Sequence, residues 1–576
     1  MSTHSHSCTP YPHLAKLVTN HSTAPVAEPH IATEQTEGSK DPSHIFIGRV
    51  ITMDDSLPEA EALAIKNSRV VAVGSIADIR SLAGKDTEVI ELEGKVIYPG
   101  LIDSHMHLWV TAINYDWLDC SVMANKSLDD IKNRIAKAAK AAKPGEWILG
   151  KLFDPSMLPG MPDLTTKDLD PLAPNNPVFI FNASMHFAYV NSKALEVAGI
   201  TKDSPDPPGG YYGRYDNGAP NGILSEMSTV VPFLQHIDSI TPEVIAKNIT
   251  RILDDSARVG VTSVREAATG ALLGDKEIGL LHHVQQHSGL KARVSLALVD
   301  DLAKTWPESE NTANGSGNEY VWVGARKIVT DGSNQGESGY QTKPYLHSKD
   351  RGKLDIDPDE LKKRLQWCHD NNWQVMMHAN GDAAVDAVVK TCKEVLGDGD
   401  GKDLRHRIEH CSLVNDDARF DTMAELGVSP SFLINHVYYW GKTLRDNVLG
   451  KDRIYMLDRT AAAAKAGLKF TLHSDYNVSP INPLHYVYVA VNRIMWDGGE
   501  VLEPDQRVDV QQALKAVTID AAWQMHREDK FGSLTPGKYA DFVILDKDPQ
   551  QVKPTEIDKI KVKQTWLGGK ITYKSS

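Results

Sequence analysis

The sequence has few cysteines, no long apolar run and more acidic than basic residues. Its 576 residues include five cysteines, and none are in CxxC spacing, so neither a disulfide framework nor a thiolate zinc site is expected. No run approaches the ~20 apolar residues that a membrane-spanning helix needs. The formal net charge of -14 disfavours nucleic acid and anionic membranes as partners. We therefore expect a cytoplasmic protein that acts on a small molecule and that, if it assembles, forms a homodimer.

The first 43 residues show no hydrophobic periodicity and no secretory signal pattern. They are rich in Ser, Thr, Pro and His. Nothing in the pattern would hold the histidines of this segment in one geometry. We predict that 1–43 form a flexible arm rather than a metal site.

Two histidines close an apolar run that begins at Val96. His105 and His107 are two residues apart, so in a strand their side chains point the same way. Imidazole is the commonest metal ligand among side chains. The pair could be half of a metal site, although a hairpin with solvated histidines would show the same spacing.

Three later apolar runs also end in a residue that can bind a metal. They end at His378, His410 and Asp475. The active sites of (β/α)8 barrels lie where the carboxyl ends of the parallel strands meet. Each histidine alone would more often be a core or surface residue, but the ordered set favours a shared site. The sequence thus predicts a TIM barrel with a metal centre at that face.

The order HxH, Lys, His, His, Asp resembles the amidohydrolase superfamily. The most similar branch is amidohydrolase family 3, which includes N-substituted formamide deformylase. The likeness spans roughly residues 44 to 575, and its motifs say little about substrate. The segments that carry it are 98–103, 147–150, 191–195, 327–333, 378–382, 474–475 and 532–546.

The predicted fold is α/β, with a (β/α)8 TIM barrel in residues 99–529. Short β runs in 44–98 and 530–576 are each too small to be stable alone, so we expect them to join into one β-sandwich. Roughly 150 residues separate barrel strands one and two, which is too long for a structureless loop, so about 109–250 should form an insertion lobe. The eight barrel strands are predicted near 97–105, 261–266, 292–298, 324–329, 374–378, 405–410, 428–433 and 469–474.

The resemblance implies a role for each ligand residue. His105 and His107 would hold one ion, and His378 and His410 a second. Asp475 would bind the first ion and act as general base. We expect one or two divalent ions, foremost zinc, since such N/O ligand sets accept several metals.

Lys327 matches the lysine that is carboxylated in the superfamily, and its carbamate would bridge the two ions. The alternative is an unmodified Lys327 in an ion pair with Asp331, because a buried lysine normally needs a partner. A site with one ion, built from the histidines and Asp475, would then remain workable.

Four further residues are candidates for supporting roles. Trp109, His186 and Tyr340 could contact substrate, although residues of these types more often serve packing or lie on the surface. Asp382 could orient a metal histidine. Glu409 is the other candidate for this orienting role. It is adjacent to His410 in a strand, so the alternation of side chains should point it away from the site.

Three functions are compatible with these residues. The first is metal-dependent hydrolysis of an amide-type C–N bond, as in an N-substituted formamide or a cyclic amide, by metal-activated water. The second is deamination of an amino-heterocycle at a mononuclear site. For such a deaminase a glutamate is expected just after His378, and the sequence has none there. The third is a non-catalytic binding barrel, which is disfavoured because none of the six ligand positions is lost.

Overall fold

The computed structural model describes residues 41–207, 210–304, 306, 312–397, 402–496 and 498–576. The predicted flexible arm lies outside the described residues, apart from 41–43. The strands, numbered in chain order, are β1 His44–Ile51, β2 Glu59–Lys66, β3 Arg69–Gly74, β4 Glu88–Glu91, β5 Val96–Pro99, β6 Leu101–Met106, β7 Leu118–Asp119, β8 Ile148–Phe153, β9 Val178–Asn182, β10 Phe187–Val190, β11 Tyr211–Arg214, β12 Pro220–Ser225, β13 Val261–Thr269, β14 Arg293–Val299, β15 Val321–Val329, β16 Val375–Ala379, β17 Arg407–His410, β18 Ser429–Phe432, β19 Thr471–Leu472, β20 Phe542–Leu545, β21 Val562–Leu567 and β22 Lys570–Lys574.

Helices connect and cover these strands. The α-helices are Ile76–Arg80, Leu108–Asn114, Leu128–Ala141, Thr166–Leu169, Ser192–Ala198, Met227–Leu234, Pro242–Arg258, Lys276–Ser288, Asp300–Ala303, Pro358–Asp370, Asp382–Leu396, Ala418–Leu426, Gly441–Thr443, Thr460–Lys465, Pro483–Asn492, Val510–Ala516 and Ile519–Gln524. Single 3-10 or π turns are Pro155–Met157, His436–Trp440, Leu444–Val448, Ile454–Met456, Pro504–Gln506 and Pro554–Lys559. Among the described helices, none has the length and apolar character that crossing a bilayer requires.

An eight-stranded parallel sheet in the order β6, β13 to β19 forms the barrel. It closes where β6 meets the segment after β19: His105 O accepts from Asp475 N at 3.1 Å, and His107 N donates to Tyr476 O at 2.8 Å. The prediction of a parallel eight-stranded barrel is confirmed, and each strand overlaps its predicted position. The first and last barrel strands therefore meet at the carboxyl end of the sheet.

The helix Pro242–Arg258 shows why the local sequence folds as it does. The Thr241 side chain accepts from Val244 N, and Pro242 occupies the first turn, where a missing N–H costs nothing. Ile245, Ile249 and Ile252 recur at helical spacing and are buried. The helix leads directly into β13.

A second sheet interrupts the barrel between β6 and β13. Its six strands follow the order β11, β12, β10, β9, β8, β7. The three pairings that join β11, β12, β10 and β9 are antiparallel. The sheet lies within the segment expected as an insertion lobe. We call this part of the chain, from β7 up to the helix Pro242–Arg258, the lobe.

Strands from both chain ends share the third sheet. Its order is β22, β21, β20, β5, β1, β2, β3, and β4 pairs with β1. The link is the antiparallel pairing of β20 with β5, in register from Phe542 opposite Pro99 to Leu545 opposite Val96. The sequence predicted a sandwich; the structure shows one hydrogen-bonded sheet to which both ends contribute.

Candidate functional site

Three imidazoles turn the same ring nitrogen toward one carboxylate at the carboxyl end of the barrel. Asp475 Oδ1 lies 3.1 Å from His107 Nε2 and 3.3 Å from His105 Nε2. Asp475 Oδ2 lies 3.9 Å from His410 Nε2. The structure thus brings together residues from the first, sixth and eighth barrel strands, as the sequence predicted for a shared site.

The Nδ1 atoms of two of these histidines already have partners. His105 Nδ1 contacts Glu409 Oε2, and His410 Nδ1 lies 3.2 Å from His473 Nε2. A carboxylate at Nδ1 keeps the proton there and leaves the lone pair of His105 on Nε2. The lone pair of His105 therefore faces the Asp475 carboxylate.

Asp475 has an unusual backbone conformation and unusual surroundings for a buried carboxylate. It adopts a left-handed φ of 54°, and its Oδ1 is buried without a hydrogen-bond donor of good geometry. Burial alone would raise the pKa of Asp475, but positive charge at the surrounding imidazoles, His410 foremost, would outweigh burial and hold that pKa well below its ordinary value. A buried oxygen that lacks a donor and faces imidazole lone pairs is what a metal ligand requires.

Asp103, on the first barrel strand, is hydrogen-bonded to the segment that carries Asp475. Its Oδ2 accepts from Tyr486 OH at 2.9 Å and from Ser474 Oγ at 2.5 Å. Burial raises the pKa of Asp103 to about 6. These bonds fix the residue next to Asp475 and so limit how far its carboxylate can move.

His378 lies beside this group. Its ring centroid is 4.7 Å from that of His410. Asp331 Oδ1 accepts from His378 Nδ1 at 3.1 Å, and the same carboxylate accepts from the backbone N–H groups of Asn380 and Gly381 at 3.0 and 2.8 Å. Asp331 therefore fixes the orientation of His378, while Asn380 Nδ2 lies 3.2 Å from Nε2.

Lys327 also reaches the histidine group. It is 3% exposed, and its Nζ lies 3.4 Å from His105 Nε2. Burial lowers the pKa of Lys327, which favours the neutral amine. The alternative ion pair with Asp331 is not what the structure shows, because Asp331 is engaged with His378 and its loop.

The expectation that Glu409 points away from the site was wrong. Its carboxylate contacts His105 Nδ1 and forms an ion pair with Arg407, Nε to Oε1, at 2.8 Å. The reason is the backbone: His410 and Cys411 adopt φ values of 64° and 47°, so strict alternation ends at this point of β17. Glu409 and His410 can therefore both face the barrel interior.

Asp382 does not take the orienting role expected of it. Its carboxylate accepts from the Thr342 backbone N–H at 2.9 Å and from the Thr342 hydroxyl at 2.5 Å. It begins the helix Asp382–Leu396, where a carboxylate is favoured by the helix dipole. Asp331 and Glu409 hold His378 and His105 instead.

His473 is a further residue at the site whose place the spacing indicates. It lies two residues before Asp475, and its ring stacks on His105 with centroids 4.7 Å apart. Its Nδ1 is 2.8 Å from Ser431 Oγ, and its Nε2 faces His410. Both nitrogens have partners, so His473 can orient His410.

The three candidates for substrate contact occupy different surroundings. Trp109 is 2% exposed and packs in the core, which leaves little of its surface for a substrate. Tyr340 is half-buried below the Arg351 guanidinium, 5.3 Å from its ring centroid. His186 comes from the lobe, and its ring centroid lies 5.7 Å from that of His378.

Glu226 is the partner of His186. The Nδ1 to Oε2 distance is 2.9 Å. Burial alone would lower the pKa of His186, but the Glu226 carboxylate outweighs it and raises that pKa to about 9. Sequence reasoning missed Glu226, because no local pattern links two residues that are 40 positions apart.

Among the residues that the structure describes, two groups of side chains have the spacing to hold a metal ion. They are His105 with His107 and Asp475, and His105 with Glu409 and His473. The first group fits a divalent ion better, because Glu409 is already paired with Arg407 and His473 with Ser431.

Known proteins of several kinds are similar to this chain. The model of the amidohydrolase family matches residues 88–573. Protein LONG AFTER FAR-RED 3 of Arabidopsis thaliana is 30% identical over 543 residues, which are 91% of this chain and 90% of the relative. N-substituted formamide deformylase of Arthrobacter pascens is 26% identical over 545 residues, 92% of this chain and 98% of the relative. A crystal structure of an uncharacterized metal-dependent hydrolase from Pyrococcus horikoshii has a TM-score of 0.70 at 24% identity, covering 89% of this chain and 99% of that one.

Proposed function

Because the chain belongs to the amidohydrolase family, we propose that it hydrolyses an amide-type C–N bond with water activated by one or two divalent metal ions. The substrate class proposed is an N-substituted formamide or a cyclic amide. The name of the relative from Arthrobacter pascens supports the formamide, and the similarity covers nearly the whole of both chains.

One observation carries the metal proposal: imidazole nitrogens and the unpaired Asp475 Oδ1 face one another inside a buried site. Lone pairs and a carboxylate in such proximity repel one another unless a cation lies among them. His105, His107 and Asp475 would hold one ion, and His378 and His410 would serve a second. Zinc is the metal proposed, since it suits imidazole and carboxylate ligands.

Lys327 is proposed to carry a carboxylate on Nζ. The neutral amine that burial favours is the form that can add carbon dioxide, and Nζ lies among the ligand histidines. The resulting carbamate would supply a negative charge between the two ions.

Bound divalent ions would polarise the substrate carbonyl and lower the pKa of water from 15.7 to about 7. Asp475 would then accept the proton of the attacking water as general base and return it to the leaving nitrogen. A lowered pKa favours the ionised carboxylate that this role needs, and Asp475 Oδ1 lies 3.3 Å from His105 Nε2. The products would be a carboxylic acid and an amine.

The test combines metal analysis of the purified chain with a hydrolysis panel of formamides, N-acyl amines, cyclic amides and amino-heterocycles. We expect one to two divalent ions per chain and amine release from a member of the amide group. His105→Ala should remove most of the metal and the activity together. Full metal content in a His105, His107 double variant would contradict the site, and ammonia release from amino-heterocycles alone would favour deamination.

A further inference from the structure

A turn of the lobe carries His186 to the group of ligand histidines. β9 and β10 are antiparallel, and the turn between them is braced by Asn182 Oδ1, which accepts from Ser184 N at 2.8 Å. Ser184 Oγ in turn accepts from His186 N at 3.3 Å. The ring that this turn presents lies beside His378. The lobe thus places one polar side chain against the barrel site.

Two contacts join His186 to Glu226. Their side chains meet at Nδ1 and Oε2, and Glu226 N donates to His186 O at 2.6 Å. The side chains are only 18% and 21% exposed, so water screens the pair poorly. Since Nδ1 donates to Glu226, Nε2 is the ring nitrogen left for another molecule, and no residue that the structure describes bonds to it.

The backbone at Glu226 is strained. Its φ of 67° and ψ of 156° lie in a region that is essentially reserved for glycine. Such a conformation costs on the order of 1–3 kcal/mol and persists only where the surroundings impose it. Here the Thr229 hydroxyl braces the turn by donating to Ser225 O at 2.9 Å. A glycine would relieve the strain but would remove the carboxylate that holds His186.

We propose that His186 and Glu226 form an oxyanion-binding pair that the lobe contributes to the active site. The proposal rests on the amide hydrolysis proposed above. Its ligand is the carbonyl oxygen of the scissile bond, which becomes negative as the reaction proceeds. His186 donates from Nε2 to that oxygen, and the Glu226 carboxylate balances the charge of the ring.

The chemistry balances with this assignment. The water oxygen bonds to the carbonyl carbon, the π electron pair moves onto the carbonyl oxygen, and the water proton goes to Asp475. When the tetrahedral species collapses, the C–N bond breaks and the nitrogen takes that proton. His186 keeps its own proton throughout and only strengthens its hydrogen bond. Donors aimed at a developing oxyanion are typically worth about 10²–10³ in kcat.

The test compares His186→Asn and Glu226→Gln with matched controls. His236→Asn and Glu196→Gln make the same chemical changes at exposed lobe positions. Metal content and Tm are measured for every variant, followed by kcat and KM on the best amide of the panel. Methylphosphonate, a small tetrahedral anion, is titrated by calorimetry into zinc-loaded and into metal-free protein.

We expect His186→Asn to lower kcat by about 10²–10³ with KM within a few-fold of wild type. Methylphosphonate should bind at least tenfold more weakly to this variant, with normal zinc content, and Glu226→Gln should show a smaller loss of both. The controls should match wild type. A purely structural role would instead lower Tm and leave the anion affinity of the folded fraction unchanged.

Three results would overturn the proposal. The first is unchanged methylphosphonate affinity in His186→Asn, and the second is wild-type protein that does not bind this anion at all. The third is a rise in KM with kcat retained, which would make His186 a ground-state contact. If wild type hydrolyses no amide, the proposed function fails, whereas the methylphosphonate comparison still decides whether the pair binds an anion.

Discussion

Glu409 contributes to both stability and metal binding, and comparing Glu409→Gln with the double variant Arg407→Met, Glu409→Gln should separate the two effects. The carboxylate is fully buried between Arg407 and His105, and its ion pair with Arg407 holds the pKa of Glu409 well below its ordinary value, although burial alone would raise it. Gln keeps the shape but leaves the Arg407 charge without a counterion. Removing one partner of a buried ion pair costs about 3–5 kcal/mol. Divided by the unfolding entropy of a 576-residue chain, this loss of stability corresponds to a decrease of roughly 3–4 °C in Tm.

Glu409→Gln should also lower the metal affinity, through its effect on His105. Without the carboxylate at Nδ1, the proton no longer has a fixed place on the ring, and metal affinity should fall about 10–100-fold. The double variant Arg407→Met, Glu409→Gln removes both charges of the pair, so most of the Tm should return. The metal affinity should stay low, because the neutral amide oxygen of Gln is a weaker acceptor for His105 Nδ1–H than the carboxylate.

The assays are scanning calorimetry on metal-free protein and competition of zinc against a chelator of known affinity. Recovery of both Tm and zinc affinity in the double variant would refute the reasoning, since Glu409 would then act only through charge balance. Glu409→Gln with wild-type zinc affinity would refute it as well.

Three further predictions concern the metal centre. Asp475→Asn should keep near-normal zinc by metal analysis but lose about 10²–10⁴ in kcat, because the amide cannot take a proton; a variant with more than about a tenth of wild-type kcat would show that another group moves it. Lys327→Ala should lose the second ion, and a short carboxylic acid should restore part of it; two retained ions without added acid would exclude the bridge. Chelation should lower Tm in proportion to the binding energy lost, about 4 kcal/mol at a free zinc concentration 1,000 times Kd; an unchanged Tm would argue against a tightly held ion in the folded chain.

The sequence predicted the parts of the site that strand periodicity controls. His105, His378 and His410 lie at the ends of apolar runs, and the barrel brings these ends together whatever the intervening loops do. The closure of the barrel beside Asp475 follows from the same pattern. Local composition was therefore enough to place these histidines on strands of the barrel.

The errors arose where the backbone departs from regular geometry. Glu409 was assigned to the wrong face because alternation holds only for extended residues, and β17 turns left-handed at His410. Asp331 was considered only as an alternative partner of Lys327, and its contact with His378 was missed, because loop side chains have no periodicity to read. Glu226 was missed because its contact with His186 depends on how the lobe folds.

The closure of the barrel has a consequence for the order of assembly. Asp475 joins the site through the backbone hydrogen bond to His105 O, so residues 370 positions apart complete the proposed ligand set. During synthesis, a chain that has not yet emerged past β19 has the first histidine pair but not the carboxylate. With the ligands proposed above, full metal affinity would develop only once the last strand has docked, and metal binding would stabilise only those molecules that have finished folding. Metal uptake in a refolding experiment would thus time the final docking step.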